Sequence, residues 1–212
     1  PVTSVFFGGG TPSLVRPDIL EGVLNEIASV WGLAQNAEIS LEANPVGLDR
    51  PLLEDLKRAG ITRFSMGVQS LDDEALSFLG RTHNAADAIS AFALARDLFE
   101  YTSLDLIYAR PDQTVAAWTA ELTKALALAP DHLSAYQLTI EQGTNFGKLY
   151  QAGRLTLPEE DVQIGLYDIT QSLCHDVGLV AYEVSNHARP GHESRHNLQC
   201  WQGTPYIGIG PG

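Results

Sequence analysis

The chain has 212 residues, 44% of them hydrophobic, which supports a sizeable core and excludes wholesale disorder. A net charge of −13 repels phosphate backbones and argues against a nucleic-acid partner, whose binding depends on Lys and Arg. Two cysteines do not make a disulfide framework and fit a reducing cytoplasm, and no apolar run reaches the roughly 18 residues that would span a membrane.

The chain opens with Pro1 and runs straight into an apolar strand, Thr3 to Phe7, with no signal-peptide pattern. Its last residues, Gly208 to Gly212, break off within a motif, so both ends are read as cut. After the first strand come Gly8-Gly9-Gly10-Thr11-Pro12, then a helix capped by Asp18 that runs to about Val30. Trp31 at its end is read as packing. A strand from Glu38 to Glu42 leads to a helix capped by Asp49, with Pro51 in its first turn and Gly60 as its stop. The strand Ile61 to Val68 is followed by helices opening at Asp72 and Asn84. The strand Ser103 to Tyr108 precedes a helix from Thr114 to Leu128, with Trp118 toward the core and Pro130 past its end. The strand Leu133 to Thr139 closes the series.

Strands alternating with helices predict an α/β fold, a parallel sheet with helices outside. The pattern leaves a barrel, a part-barrel or a doubly wound sheet open. Beyond Thr139 the rhythm breaks. A helix from Pro158 to Val177 carries Cys174 as a core residue, a strand from Leu179 to Val184 follows, and then comes a polar stretch rich in His, Asn and Gly. A boundary near Glu141 divides residues 1–141 from the beginning of a smaller α+β region at 142–212.

Ligand sites of α/β folds lie at the C-terminal ends of their strands. Gly9, Gly10 and Thr11 lie there, as do Glu42, Gln69 and Asp105, and Arg81 opens a loop nearby. Singly, the glycines suit a tight turn and the others suit caps or solvated surface. Jointly they suit a ligand with an ammonium group and a ribose, with Arg81 pairing a carboxylate. A second constellation comprises His187, His192, His196 and Cys200. Imidazole and thiolate bind iron in heme, and both bind zinc. Arg189 and Arg195 suit heme propionates. The plainer readings are loop histidines serving turns, or a zinc-binding α/β protein using those four residues. On a helix, His196 and Cys200 would share one face. His83 and His132 stand alone and are read as structural.

Taken in order, the runs GGGTPS, LEANP, RFSMGVQS, LGRTH and DLIYARPDQT resemble the SAM-binding half of radical S-adenosylmethionine (SAM) proteins of the oxygen-independent coproporphyrinogen-oxidase-like group. The resemblance implies a partial (β/α) barrel. It implies that Gly9, Gly10 and Thr11 meet the methionyl amino end of SAM, that Glu42 and Gln69 line its pocket, that Arg81 holds its carboxylate and Asp105 its ribose. Members of this group bind a [4Fe–4S] cluster through three cysteines just upstream of GGGTP. Those are not in this chain, and Cys174 and Cys200 are too few and too far apart to replace them. This piece alone is therefore not expected to generate a radical. The run from Tyr182 to Gly212 resembles the heme chaperone branch of the group, which implies a cytoplasmic protein that holds heme and delivers it to a membrane haemoprotein. His196 and Asn197 match the heme motif of that branch, and Cys200 replaces its tyrosine. The alternative implied by the wider group is oxygen-independent coproporphyrinogen III oxidase.

Overall fold

Polar and apolar side chains alternate along the middle of the sheet, strictly so over residues 63–69, and that alternation decides which way the sheet curls. The computed structural model describes residues 1–210; Pro211 and Gly212, the end of the last run compared above, lie outside the described residues. β1 (Val2–Phe7), β2 (Leu33–Ala43), β3 (Arg63–Gln69), β4 (Tyr101–Tyr108) and β5 (His132–Gln137) are parallel neighbours in chain order. Phe64, Met66 and Val68 of β3, and Leu104 and Leu106 of β4, are fully buried against the outer helices. The other face carries Glu42, Ser65, Gly67, Gln69, Ser103, Asp105, Ser134 and Tyr136, which line a cavity. A parallel sheet covered on both faces is apolar on both. Here one face is polar, and the sheet curls around it as a half-barrel.

The helices form where their caps predict. Asp49 accepts from the Leu52 amide at the start of α2 (Arg50–Arg58), and Asp72 from the Ala75 amide at α3 (Asp73–Phe78). Asn84 and Asp87 form a reciprocal capping box on α4 (Ala85–Leu98), and Thr114 caps α5 (Val115–Ala127). α1 (Pro17–Trp31) departs from expectation. Its cap is Arg16, because Pro17 takes the first helical position, and Asp18 sits in the first turn paired with Arg16. Trp31 is half exposed and does not pack as expected. Trp118 is fully buried, and its Nε1 donates to Thr170 Oγ1 on α7 (Glu160–Asp176) at 2.8 Å. Cys174 is buried in the same helix, as expected.

The later segment holds more regular structure than the sequence suggested. α6 (Asn145–Gln151) precedes α7. The expected strand over Leu179–Val184 shrinks to β6 (Val180–Ala181), because residues 182–185 turn tightly into β7 (Asn186–Ala188). β7 pairs antiparallel with β5, and β6 with β7, so the order is β1-β2-β3-β4-β5-β7-β6. The polar stretch ends in α8 (Arg195–Trp201), capped by Ser194, which returns to β1 at the opposite edge of the sheet. Gln199 accepts from Ser4 Oγ at 2.7 Å and donates to Thr3 Oγ1 at 2.8 Å.

Candidate functional site: a polar cavity in the half-barrel

The concave face encloses a cavity of about 270 Å³. At its upper rim the chain leaves β1 through Gly9 and Gly10, whose φ values of 79° and 59° favour glycine. The Gly9 amide donates to Glu42 Oε2 at 3.2 Å, so the first two strands are joined at the rim. Asn44 Nδ2 donates to Thr11 Oγ1 at 3.0 Å, and Arg81 Nη1 donates to Asn44 Oδ1 at 3.4 Å. Asn44 thereby ties the glycine turn to the arginine, a role that the run LEANP contained but that its spacing does not reveal. Arg81 has no carboxylate within salt-bridge distance among the described residues, and its Nε is buried without a partner. Burial lowers its pKa from the ordinary value. A partly desolvated guanidinium without an anion suits a ligand carboxylate.

Asp105 faces Arg81's cavity from β4. Its carboxylate accepts from Ser65 Oγ at 3.1 Å. Burial pushes its carboxyl up to about 6, the Ser134 and Ser65 hydroxyls oppose that shift, and the nearby Glu42 adds to it. No cation pairs it among the described residues. A carboxylate held this way is an acceptor for ligand hydroxyls. Gln69 ends β3 with φ 71°, and the β3–β4 register slips between Met66 and Gln69. Its Nε2 lies where a Cβ on Gly67 would approach to 2.8 Å, so glycine at 67 is what lets the carboxamide cross the cavity wall.

The floor is closed by the segment 189–201. Asn197 lines the cavity, and its Nδ2 donates to the Tyr182 hydroxyl at 3.2 Å. That hydroxyl lies 2.6 Å from His132 Nε2. His132 was read as structural. It is buried and also borders the cavity. His83, buried with Nε2 on the Val68 carbonyl, is structural as expected. His196 stacks on Phe6 with ring centroids 4.5 Å apart, and Phe6 lines the same cavity. Burial lowers the His196 pKa, against the opposing pull of Glu38 and Glu42. Cys200 Sγ is exposed and 3.9 Å from His196 Nε2, so α8 places the two donors on one face. Phe6, Tyr182, Ser65 and Ser134 were not singled out by sequence. Only the period-two polar pattern of the strands could have found the two serines.

The zinc reading is overturned. His187 is buried in β7 between β5 and β6, His192 packs against Tyr101, and His196 lies on α8. Among the described residues no three His, Cys, Asp or Glu side chains gather as a metal set. The arginines expected to meet propionates are partly engaged within the chain: Arg189 lies 3.8 Å from Asp131, and Arg195 donates to the Asn36 carbonyl.

A curled parallel sheet with a glycine turn after its first strand, and a row of polar side chains on its inner face, frames a polar cavity inside a half-barrel. Residues 1–122 match the Radical SAM superfamily, and the chain belongs to it. That membership implies SAM and a [4Fe–4S] cluster as cofactors. Similar proteins include the mitochondrial radical S-adenosyl methionine domain-containing protein 1 of Mus musculus, 46% identical over the whole chain and 48% of that protein. The heme chaperone HemW of Synechocystis sp. is 43% identical over the whole chain and 52% of its own length. The chain thus spans about half the length of these relatives. The solved structure of coproporphyrinogen III oxidase (HemN) from Escherichia coli, described as a radical SAM enzyme, shares the fold with a TM-score of 0.77. It does so over 95% of this chain and 46% of that one, at 24% identity. No helix among the described residues is long and apolar enough to cross a membrane.

Proposed function

We propose that the protein containing this chain is a SAM-binding heme chaperone that holds heme at α8 and passes it to a haemoprotein, in the cytoplasm. The observation that carries the reading is the pair His196 and Cys200 on one face of α8, with His196 stacked on a residue of the SAM cavity. Imidazole and thiolate both serve as axial ligands of heme iron. Asn197, next to the ligand, faces inward and fixes the helix to Tyr182. The name carried by the Synechocystis relative agrees with this reading, and the reducing cytoplasm fits the two free cysteines. A membrane haemoprotein as acceptor is part of the proposal and rests on the resemblance alone.

SAM fits the cavity by its donor set. Arg81 offers an unpaired cation for the methionyl carboxylate, Glu42 and the Gly9–Gly10 backbone suit the ammonium group, and Asp105 suits the ribose diol. Bound SAM would supply a sulfonium centre that one electron, delivered by the superfamily's cluster, splits into a thioether and a carbon radical. The residues present do not fit a cluster: Cys174 is buried in α7 and Cys200 stands alone on α8. No step through a cluster is assigned to this chain. The second reading, coproporphyrinogen III oxidase, is favoured by the shared fold with that enzyme, since the cavity serves either activity.

Replacing Arg81 by alanine is expected to weaken SAM binding about tenfold by removing one charge-assisted pair. Equilibrium dialysis on the whole protein reads this directly, and unchanged affinity would remove the pocket assignment. The chaperone reading is tested by titrating heme into the whole protein and its His196→Ala variant. A saturable Soret shift in the parent, lost in the variant, is the expected result. No heme binding in the parent turns the reading toward porphyrinogen decarboxylation, which is then assayed.

A further inference from the structure

Behind the cavity, the ends of β3 and β4 both turn through left-handed backbone on residues other than glycine: Gln69 at φ 71° and Ala109 at φ 57°. Side chains with a Cβ avoid this region unless the surroundings over-determine it. The residues that follow them, Ser70 and Arg110, belong to one buried network centred on Glu121 of α5. Arg110 Nη2 pairs with Glu121 Oε2, and Arg110 Nη1 donates to Ser70 Oγ at 2.7 Å. Ser70 Oγ donates to Glu121 Oε1, which also accepts the Leu71 amide at 3.0 Å. Ser70 Oγ in turn accepts the Asp72 amide at 3.1 Å. Ser70, Arg110 and Glu121 are all buried, and none of them lines the cavity.

A buried ion pair is weak evidence for stability, because well-packed apolar residues commonly do as well. What this pair provides that apolar residues would not is direction. It anchors the side-chain hydroxyl and the backbone amide of the two residues that follow the Gln69 turn, and it bonds the adjacent β4 turn to the same carboxylate. Gln69 is thereby held with its carboxamide across Gly67, on the cavity wall.

We infer that Glu121 and Arg110 are positioning residues for the SAM cavity: acting through Ser70, they hold Gln69 in its left-handed conformation and so aim its carboxamide at the ligand. The inference rests on the reading of the cavity as a SAM site. Its test uses the whole protein as parent, Glu121→Gln, Gln69→Ala and the double variant, with SAM affinity measured by equilibrium dialysis. Glu121→Gln is expected to weaken SAM about tenfold, as loss of one well-placed hydrogen-bonding group does. The double variant is expected to bind no more weakly than Gln69→Ala alone, since Glu121 then has nothing to aim. Additive losses, or unchanged affinity in Glu121→Gln, overturn the inference. Should Glu121→Gln fail to fold, Ser70→Ala cuts the same link while leaving the ion pair, and is read by the same criteria. Amide exchange at Gln69 and Leu71 in the SAM-free protein gives an independent readout. Faster exchange there in the Glu121 or Ser70 variant is expected even if the parent binds no SAM, so failure of the SAM reading and failure of this inference are told apart. Unchanged exchange at both amides overturns it.

Discussion

At pH 8 the Asp105→Asn protein is expected to melt several degrees above the parent and to bind SAM at least tenfold more weakly. Both effects follow from one carboxylate. Burial raises its pKa from 3.8 to about 6, which corresponds to a penalty of about 3 kcal/mol for the ionised form, an upper figure because water in the cavity screens the charge. The folded pKa lies above the unfolded one, so the folded state holds the proton more tightly between them. The stability from this group is therefore fully present below about pH 4 and is lost as pH rises through about 6. Asparagine keeps the shape and the contact with Ser65 but never ionises. The difference in melting temperature between the two proteins should be largest above pH 6 and should vanish near pH 4. SAM binding runs the other way. A ribose diol donates to a carboxylate more strongly than to an amide oxygen, about 1.5–3 kcal/mol for a charged partner against about 0.5–1.5 for a neutral one. Parent affinity should fall as pH drops through about 6, and the variant should lack that fall. Thermal melts and SAM titrations across pH 4–8 read both. A variant that is less stable than the parent at pH 8 would show that Asp105 is paired with a cation and not held unpaired on the cavity wall.

The alternation of parallel strands and helices was legible because the helices from α2 to α5 each carry a capping signal. Asp49, Asp72, Asn84 and Thr114 cap where side-chain chemistry requires, and Gly60 stops α2 with φ 107°. The strand-end positions of Glu42, Gln69 and Asp105 followed from the same punctuation, and the cavity brings them together with Gly10, Thr11 and Arg81. What was not legible is set by contacts distant in sequence. The α8 segment has no apolar stripe, and none of its residues is buried. It is helical because Ser194 caps it and because Glu38, 157 residues away, accepts the Arg195 amide. β7 is three residues long and has its place through the ladders with β5 and β6. The polar alternation Arg63, Ser65, Gly67, Gln69 against Phe64, Met66, Val68 was readable and decides among the three architectures that element order left open, since only a wet inner face needs it.

The largest loss of stability is expected at Arg63, and the way it can be recovered separates folding from function. Arg63 and Glu38 form an ion pair at 3.0 Å with side chains only 2% and 7% exposed. Arg63 also lies over the Tyr101 ring and donates to the His192 carbonyl at 2.9 Å and the Glu193 carbonyl at 3.2 Å. Glu38 accepts the Arg195 amide at 2.9 Å. The pair is thus where segment 189–201 is pinned across the concave face. Arg63→Met alone strands a buried carboxylate and is expected to cost about 3–5 kcal/mol in urea unfolding. Adding Glu38→Leu removes that stranded charge, and most of the loss should return, because apolar replacement of a buried pair is often near neutral. The double variant nevertheless lacks the bonds from Arg63 and Glu38 to His192, Glu193 and the Arg195 amide, and keeps the Arg195 side-chain bond to the Asn36 carbonyl. Its amides from 192 to 201 should exchange faster than the parent's while those of β3 and β4 do not change, and its heme binding should weaken because α8 no longer holds His196 against Phe6. Recovered stability with an unchanged α8 and unchanged heme affinity would mean that the contacts of Gln199 with Thr3 and Ser4 suffice to place the helix, and that the ion pair serves only the floor of the barrel.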